Sequence, residues 1–487
     1  MLREPAPTFA PETQERESAP ADAALPWIET RPGHPYFFDE RGAAWTPIGQ
    51  NDAITWPELA GLFRRRDLEG VERHLRMLKA SGVTCLRLML EYAQGEHRYI
   101  ERPAGVFPPN MARLWDDLFA LCERVGLHIL LTPFDTFFTW IRWKHHPYNR
   151  ANGGPCGGRR ELLSCPATRE AIKARLEFAT RRWGGSPALF AWDIWNEMHP
   201  AHAGDRVEPL VEFVDHVAPW LKALELRMHG RRHPLTVSVF GPELVASPAL
   251  AEPIFRHPEL DFASIHLYEK GTIDKPRNTV APALAAGRLM AGAMAEIRDE
   301  RPLLDTEHGP IHAFMDRKIV LGEDFDDEYF RHIQWAHLAS GGAGGGMRWP
   351  NRHPHVLTAG MRRAQAALAR FVPLIDWTRF RRECWNDRLT LSAKGFAAFG
   401  CGDGEQAVLW VLRTDATGRD GRIRKDAKPR RVTLLCPGGE RRYRATLFDT
   451  AAGRVISQAL VEGSGGKVAI GLKDVKADIA IALRAVR

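Results

Sequence analysis

The feature that most constrains the fold is an alternation of short apolar runs with longer segments of helical periodicity, beginning near residue 36. Eight runs are short and nearly continuous in hydrophobicity, which is typical of strands covered on both faces of a parallel sheet. They are AWTPIGQN (44–51), VTCLRLML (83–90), HILLTPFD (128–135), LFAWDIWNE (189–197), LTVSVFG (235–241), FASIHLY (262–268), PLLDTEHG (302–309) and GAGGGMRW (342–349).

Amphipathic segments lie between these runs. The clearest predicted helices cover residues 70–82, 111–126 and 168–184. In the second of them, Leu114, Leu118 and Val125 recur at helical spacing, and Gly126 follows where a helix C-terminus favours glycine. Eight strand–helix pairs in roughly 330 residues predict an α/β fold, a (β/α)8 TIM barrel.

The helical signal fades after Arg370, and the pattern changes to short alternating runs from Arg381 onward. Gly and Asp clusters separate these runs, which predicts a smaller antiparallel β-sandwich. We place the boundary near Asp376, with the catalytic barrel over residues 36–375 and the second domain over 376–487.

The first 35 residues are rich in Pro, Ala and Glu, and we expect them to form a disordered tail. They contain no apolar core of a signal peptide, and no run in the chain approaches the length of a membrane span. None of the seven cysteines forms a CxxC pair, which argues against a zinc ribbon or a dense disulfide framework. A reducing, cytoplasmic location is therefore expected, although export by an unrecognised route stays open.

The net charge of +7 is modest for 487 residues, and no long basic helix is present, so nucleic acid is not an expected partner. No phosphate loop, zinc-protease motif or nucleophile elbow was found, and we expect no cofactor and no metal. The oligomeric state is not predicted.

Two carboxylates stand at the ends of candidate strands four and seven, Glu197 and Glu307. In a barrel of this type, side chains at the C-terminal ends of the strands reach the open mouth, where the chemistry takes place. Two carboxylates flanking one bond are what glycosidic cleavage requires. Either Glu alone would more often be a helix N-terminal residue or a surface charge; the pair favours a catalytic interpretation.

Six positions in order resemble the clan A glycoside hydrolases, most closely glycoside hydrolase family 5, the cellulase and β-mannanase family. The resemblance covers about residues 36–375, and each position lies at a predicted strand end. They are Arg87, Asn196–Glu197, His266, Tyr268, Glu307 and Trp349.

The resemblance implies a retaining mechanism, with Glu197 as general acid/base and Glu307 as nucleophile. Glu197 would need a raised pKa, and Arg87 would keep Glu307 ionised. A structural ion pair is the other interpretation of Arg87, and both can hold together.

Four further roles follow from the same resemblance. Tyr268 would direct its hydroxyl at the nucleophile, and His266 would contact substrate or the acid/base. Asn196 would donate to the sugar 2-hydroxyl, and Trp349 would offer an apolar face to the sugar ring. The alternatives are a satisfied core histidine and a core tryptophan.

The chain departs from many relatives at the end of strand three, where Asp135 follows Phe134 instead of a histidine. Asp135 is predicted to take over some contacts to the sugar. The segment 136–165 that follows is unusually long, and it is predicted to form one wall of the cleft with Trp140 and Trp143 as sugar-stacking residues. A packed surface loop is the alternative.

Together these features predict a retaining β-glycoside hydrolase that cleaves a β-linked glycan or oligosaccharide, of mannan type first and glucan type next. A non-catalytic carbohydrate-binding barrel is the second hypothesis, although a pure binder has no need of both carboxylates. A Schiff-base enzyme such as an aldolase would need a lysine at a strand end, and none of the eight runs ends in one.

Overall fold

The computed structural model describes residues 24–91, 99–310, 321–350 and 355–486. Three short strands come first: β1 (Ile28–Thr30), β2 (Phe37–Asp39) and β3 (Ala44–Trp45). They form a small antiparallel sheet in the order β1-β2-β3.

This small sheet corrects the expectation of a disordered tail up to residue 35. The Trp27 ring stacks on His233 with 4.8 Å between centroids, and Ile28 is buried. Trp27 and Ile28 therefore pack against other parts of the protein, although the sequence around them is polar and rich in proline. Residues 1–23 of the predicted tail lie outside the described residues.

Phe37 closes the end of the barrel opposite the strand C-termini. It is fully buried, and its ring contacts those of Phe190 and Phe262 at centroid distances of 5.0 and 5.3 Å. Both partners lie at the starts of barrel strands, so the N-terminal sheet covers the bottom of the barrel and leaves the opposite mouth open.

The barrel sheet is built from the predicted runs. Its strands are β4 (Gly49–Asp52), β5 (Cys85–Met89), β6 (His128–Thr132), β7 (Leu189–Asp193), β8 (Leu235–Thr236), β9 (Ser238–Phe240), β10 (Ala263–Leu267), β11 (Leu303–His308) and β12 (Met347–Arg348). Neighbours pair in parallel in the order β8-β7-β6-β5-β4-β12-β11-β10-β9.

The fifth predicted strand is divided at Val237. Its first half, β8, pairs with β7, and its second half, β9, pairs with β10. Because the two ends of the sheet order belong to one continuous segment, the sheet closes on itself. The predicted (β/α)8 barrel is thus confirmed, with the division of one strand as the difference.

Nine α-helices lie in the described part of the chain. They are α1 (Leu68–Ala80), α2 (Pro109–Val125), α3 (Thr136–Arg142), α4 (Pro166–Trp183), α5 (Glu208–His229), α6 (Gly241–Ala246), α7 (Val280–Glu296), α8 (Glu323–Ala339) and α9 (Ala359–Phe371). The three helices predicted from periodicity correspond to α1, α2 and α4, each shifted by about two residues as is common at helix ends. Asp67 caps α1 by accepting from the Gly70 amide, and Gly126 ends α2 at φ +82°.

The C-terminal part is an antiparallel β-domain, as predicted. Its strands are β13 (Glu383–Cys384), β14 (Thr390–Leu391), β15 (Phe396–Gly402), β16 (Gln406–Arg413), β17 (Arg430–Pro437), β18 (Arg442–Asp449), β19 (Arg454–Ser464), β20 (Lys467–Val475) and β21 (Asp478–Ala485). Their order is β13-β15-β16-β21-β18-β19-β20-β17-β14.

The β-domain packs on barrel helix α8. The Trp335 ring lies 6.1 Å from Phe448, and His332 lies 5.7 Å from Trp410, so both units contribute to one apolar core. Trp410 is fully buried, which gives it a packing role. None of the helices that the structure describes combines the length and apolarity needed to cross a bilayer.

Candidate active site

The two predicted catalytic carboxylates meet at the mouth of the barrel. One oxygen of Glu197, one of Glu307 and one ring nitrogen of His266 all lie within 4.8 Å of one another. His266 Nδ1 is 2.7 Å from Glu197 Oε1 and 3.9 Å from Glu307 Oε2. The two glutamate side chains are 20% and 11% exposed, so protein covers most of each while solvent still reaches both.

The backbone at Glu197 is strained. Its φ is +50°, in the left-handed region that residues other than glycine rarely adopt. The Glu197 amide donates to Ser238 Oγ over 3.1 Å. Such outliers cost about 1–3 kcal/mol and cluster at functional sites, where the surrounding structure maintains them.

Arg87 is the central cation of the site and is fully buried. Its Nη1 donates to Glu307 Oε2 over 3.0 Å and to Asn51 Oδ1 over 2.9 Å. Its Nη2 donates to Asp193 Oδ2 and to Asn196 Oδ1. Burial acts to lower the pKa of Arg87, but Asp193 and Glu307 raise it above its usual value, so the guanidinium stays charged.

Tyr268 supplies the second donor to the nucleophile. Its hydroxyl donates to Glu307 Oε1 over 2.9 Å. Burial raises the pKa of Tyr268 well above its ordinary value, so the hydroxyl keeps its proton. Arg87 and Tyr268 thus place one donor on each oxygen of Glu307.

The two glutamates differ in their partners. Burial raises the pKa of Glu197 to about 7, with Arg87 acting against the shift and Asp193 and Glu243 adding to it. Burial, with the neighbouring charge of Glu197, also raises the pKa of Glu307 above its ordinary value, although His266, Arg87 and Tyr268 act to lower it. Two donors on Glu307 favour its ionised form, so the proton of this coupled pair belongs mainly on Glu197.

His266 is a neutral imidazole at the pH where such a pair titrates. Burial lowers its pKa to about 4. A neutral ring protonated at Nδ1 can donate to Glu197 Oε1 once that carboxylate is ionised. His266 therefore contacts Glu197, the predicted acid/base, which agrees with one of the two roles predicted for it; the contact with substrate stays a prediction.

Asn196 is bound at both ends of its amide. Its Oδ1 accepts from Arg87 over 2.5 Å, and its Nδ2 donates to Asp135 Oδ1 over 2.6 Å. An amide nitrogen has two hydrogens, so one N–H remains for a substrate hydroxyl. The predicted contact to a sugar 2-hydroxyl is compatible with this position and stays a prediction.

Asp135 is buried, and the hydrogen bonds that the structure describes for its carboxylate come from other groups of the protein. Its oxygens cap α3 by accepting from the Phe137 and Phe138 amides, and one also accepts from Asn196. Burial raises the pKa of Asp135 to about 7. These bonds give Asp135 a positioning geometry towards Asn196, while its predicted sugar contact stays a prediction.

The long segment 136–165 begins with helix α3 and is not an open loop. Trp140 is half-buried, with its ring 5.1 Å from His199, and Trp143 stacks on His146 at 5.5 Å. Below them, the buried Arg175 pairs with Glu91, whose Oε2 accepts from the Asp135 amide. The segment is therefore packed against the barrel, and sugar stacking by the two tryptophans stays a prediction.

Trp349 follows β12 at the same end of the barrel. It is 9% exposed, and its ring meets Trp56 edge to face at 5.0 Å. Most of its surface is therefore in contact with protein, as the core alternative expected, and its contact with a sugar ring stays a prediction.

Besides Asn51, three residues of the site were missed by the sequence reasoning. Asp193 pairs with Arg87, Ser238 anchors the Glu197 amide, and Asp305 accepts from the Glu307 amide and from His308 Nδ1. Burial raises the pKa of Asp305 to about 8. A charged residue inside an otherwise apolar run was the available signal for Asp193 and Asp305.

The two glutamates and the histidine at the mouth also have the spacing of a possible metal site. Within the described ranges, Glu197, His266 and Glu307 are a group of donors close enough to share one ion. Arg87 already places a positive charge 3.0 Å from Glu307, which disfavours a second cation there. The donor set fits acid–base chemistry better than metal binding.

Comparison with solved structures shows the fold. A glycoside hydrolase superposes with a TM-score of 0.59 at 11% identity, covering 94% of this chain and 97% of that one. A glycoside hydrolase family 5 protein from Bacteroides vulgatus gives 0.57 at 10% identity, covering 94% and 93%. A putative glycoside hydrolase from Bacteroides vulgatus gives 0.55 at 12%, covering 96% and 84%.

No family model matches the sequence, and no curated protein is similar to it. At these identities the likeness concerns the fold alone. The predicted resemblance to family 5 is confirmed at that level, for the barrel and the following β-domain together.

Proposed function

We propose that the protein is a retaining β-glycoside hydrolase with Glu307 as nucleophile and Glu197 as general acid/base. The observation that supports this most is the short separation of the two carboxylates, whose grouped oxygens lie within 4.8 Å. Carboxyl groups about 5–5.5 Å apart suit a covalent intermediate, whereas about 6.5–9.5 Å leaves room for a water in an inverting enzyme.

In the first step, a Glu307 oxygen bonds to the anomeric carbon while the bond to the leaving oxygen breaks. Glu197 gives its proton to that oxygen, which leaves as an alcohol. A pKa of about 7 keeps Glu197 protonated below neutrality and makes it an effective acid there. The donors Arg87 and Tyr268 oppose the rise in the pKa of Glu307 and so favour the ionised form of the attacking carboxylate.

In the second step, Glu197 is a carboxylate and takes a proton from water. The water oxygen bonds to the anomeric carbon, and the ester bond to Glu307 breaks with retention of configuration. His266, donating from Nδ1, stabilises the carboxylate of Glu197 in this interval. The Asn196 N–H is the group we expect on the sugar 2-hydroxyl.

The proposed substrate is a β-linked glycan or oligosaccharide, of mannan type first and glucan type second. Support for this order comes from the resemblance, because chains similar to this one in joining such a barrel to a C-terminal β-sandwich are often β-mannanase-like. Seven thiols without a disulfide among them are compatible with a reducing compartment, where imported oligosaccharides would be the substrates.

A 2-deoxy-2-fluoro glycoside with a good leaving group tests the proposal. We expect intact-mass analysis to show one added sugar, and peptide mapping to place it on Glu307. The Glu307→Gln variant is the control and should form no adduct. Absence of an adduct across gluco and manno probes would favour the non-catalytic carbohydrate-binding alternative. Product profiles on manno- and cello-oligosaccharides then order the two substrate classes.

A further inference from the structure

A cavity of about 490 Å³ lies on the outside of the barrel, between residues 62–66 and the first turns of α2. Segment 62–66 precedes α1, and both helices begin on the side of the barrel where the strands end. The cavity therefore opens on the same face as the catalytic mouth. It shares no lining residue with the site around Glu197 and Glu307.

The rim of this cavity carries four arginines, Arg64, Arg65, Arg66 and Arg113. Its one acidic residue, Asp117, is already neutralised by Arg65, through bonds of 2.7 Å from Nε and 2.6 Å from Nη2. The other three guanidinium groups have no carboxylate partner among the described residues. All four arginines are exposed, so water screens their mutual repulsion, and three guanidinium groups remain to pair with an anion that enters the cavity.

The backbone at the rim is also strained. Arg64 and Arg65 have φ values of +54° and +51°, two adjacent left-handed residues that are not glycine. This conformation is unfavourable for a residue with a Cβ atom and persists where the surrounding structure imposes it. Glycine at position 64 would adopt this backbone conformation without strain.

The floor of the cavity is apolar. Leu62, Met111 and Leu114 line it but are only 1–3% exposed, so the apolar surface open to a ligand is mainly that of the half-buried Phe63, and Asn110 adds an amide. A small inorganic ion has no use for an apolar floor, whereas a sugar ring presents C–H groups to such a surface and hydroxyls to an amide. Guanidinium groups bind carboxylate, sulfate and phosphate through paired N–H donors.

We propose that this cavity is a second binding site, specific for a saccharide that carries an oxyanion such as a uronate or a sugar phosphate. The oxyanion lies among Arg64, Arg66 and Arg113, and the ring lies on the apolar floor. The site goes beyond the proposed hydrolysis, because binding here needs neither Glu197 nor Glu307.

Isothermal titration at constant ionic strength tests the site with four probes: methyl β-D-glucuronide, glucose 6-phosphate, methyl β-D-glucoside and sodium sulfate. At least one acidic sugar should bind roughly tenfold or more tighter than both the neutral glucoside and sulfate, because charge-assisted bonds add to ring contacts. Sulfate binding as tight as that of both acidic sugars would reduce the site to a plain anion site. No binding of either acidic sugar overturns the proposal.

The variant Arg64→Ala/Arg66→Ala/Arg113→Ala should lose this binding by about tenfold or more. The matched control is Arg73→Ala/Arg76→Ala/Arg124→Ala, which removes the same charge from exposed arginines of α1 and α2 that do not line the cavity. An equal loss in the control would assign the effect to net charge and overturn the site. If neutral sugar still binds to both triple variants, that binding is assigned to the mouth of the barrel.

Arg64→Gly separates a binding role from a structural one. Glycine relieves the left-handed strain, so the thermal unfolding midpoint should not fall, while the affinity for acidic sugars drops. Full affinity in this variant would remove Arg64 from the site. A failed glycosidase assay leaves these binding results unaffected, so the two proposals fail independently.

Discussion

The Arg87 guanidinium and the Asp193 carboxylate form an ion pair with 2.7 Å between Nη2 and Oδ2, and solvent reaches neither side chain. The same guanidinium also donates to Glu307. Asp193 therefore shares the one positive charge that the nucleophile depends on, and through it affects the protonation of Glu197.

Asp193→Asn is expected to move the alkaline limb of the activity profile to lower pH. Asp193 raises the pKa of Glu197, so removing its charge lowers that pKa, and Glu197 loses its proton earlier as pH rises. A break in a buried ion pair should also cost about 3 kcal/mol of the free energy of unfolding. The measurements are kcat/KM against pH and denaturant unfolding. Asp117→Asn, at a surface pair, should leave the limb in place, and an unmoved limb in Asp193→Asn would contradict the coupling.

The wild-type protein should lose kcat/KM above about pH 7. Glu197 has its pKa raised to about 7, so the protonated acid that the first step needs is present below that pH and is lost above it. The slope should approach tenfold per pH unit on substrates with poor leaving groups.

Glu197→Ala should slow cleavage of such substrates by about 10²–10⁴-fold. Aryl glycosides that need no proton should still form the glycosyl-enzyme, which then accumulates. Added azide should restore turnover by attacking that intermediate. A variant that azide does not rescue would contradict the acid/base role of Glu197.

Tyr268→Phe should reduce kcat/KM by roughly 10–100-fold, because a hydrogen bond to a charged group contributes about 1.5–3 kcal/mol. The Tyr268 hydroxyl lowers the pKa of Glu307, so its loss raises that pKa and moves the acidic limb to higher pH. Tyr36→Phe is a control at the opposite end of the barrel, since the Tyr36 hydroxyl has no hydrogen-bond partner among the described residues. A rate loss without movement of the acidic limb would contradict this account of Tyr268.

Phe37→Ala should destabilise the protein by about 3–5 kcal/mol, because the ring is fully buried against Phe190 and Phe262. Thermal or denaturant unfolding measures this loss. Met77→Ala, at a side chain that is 43% exposed, should change stability by no more than about 0.5 kcal/mol. Equal effects of the two substitutions would show that the small N-terminal sheet is not part of the core.

The barrel could be predicted because its strands are buried on both faces and so read as near-continuous apolar runs. Glu197 and Glu307 could be identified because each stands at the end of such a run, whereas Arg87 lies in the middle of β5 and was identified through the family resemblance. Asp193 could not, because its partner Arg87 is 106 residues away in sequence and only the closed sheet brings them together. Likewise, Glu197 has a left-handed backbone, and its amide donates to Ser238 Oγ. Neither feature could be predicted from the residues next to Glu197 in the sequence.

The N-terminal sheet was missed for a different reason. Its apolar residues are few and scattered in a Pro-rich context. They are stabilised by contacts with aromatic rings that are distant in sequence, so a local pattern does not reveal them. Asp135 shows the same limit: the sequence placed it at a strand end, but only the fold showed its oxygens occupied by α3 and Asn196.

The cap that Phe37 forms under the barrel has a consequence for biosynthesis. The ribosome makes this segment before the barrel, yet one of its aromatic partners, Phe262, emerges only after most of the barrel has been translated. At about 5–20 residues per second, the segment waits some tens of seconds with its apolar side chains uncovered. Nascent chains stalled before Phe262 should therefore depend on chaperones more than chains released after it.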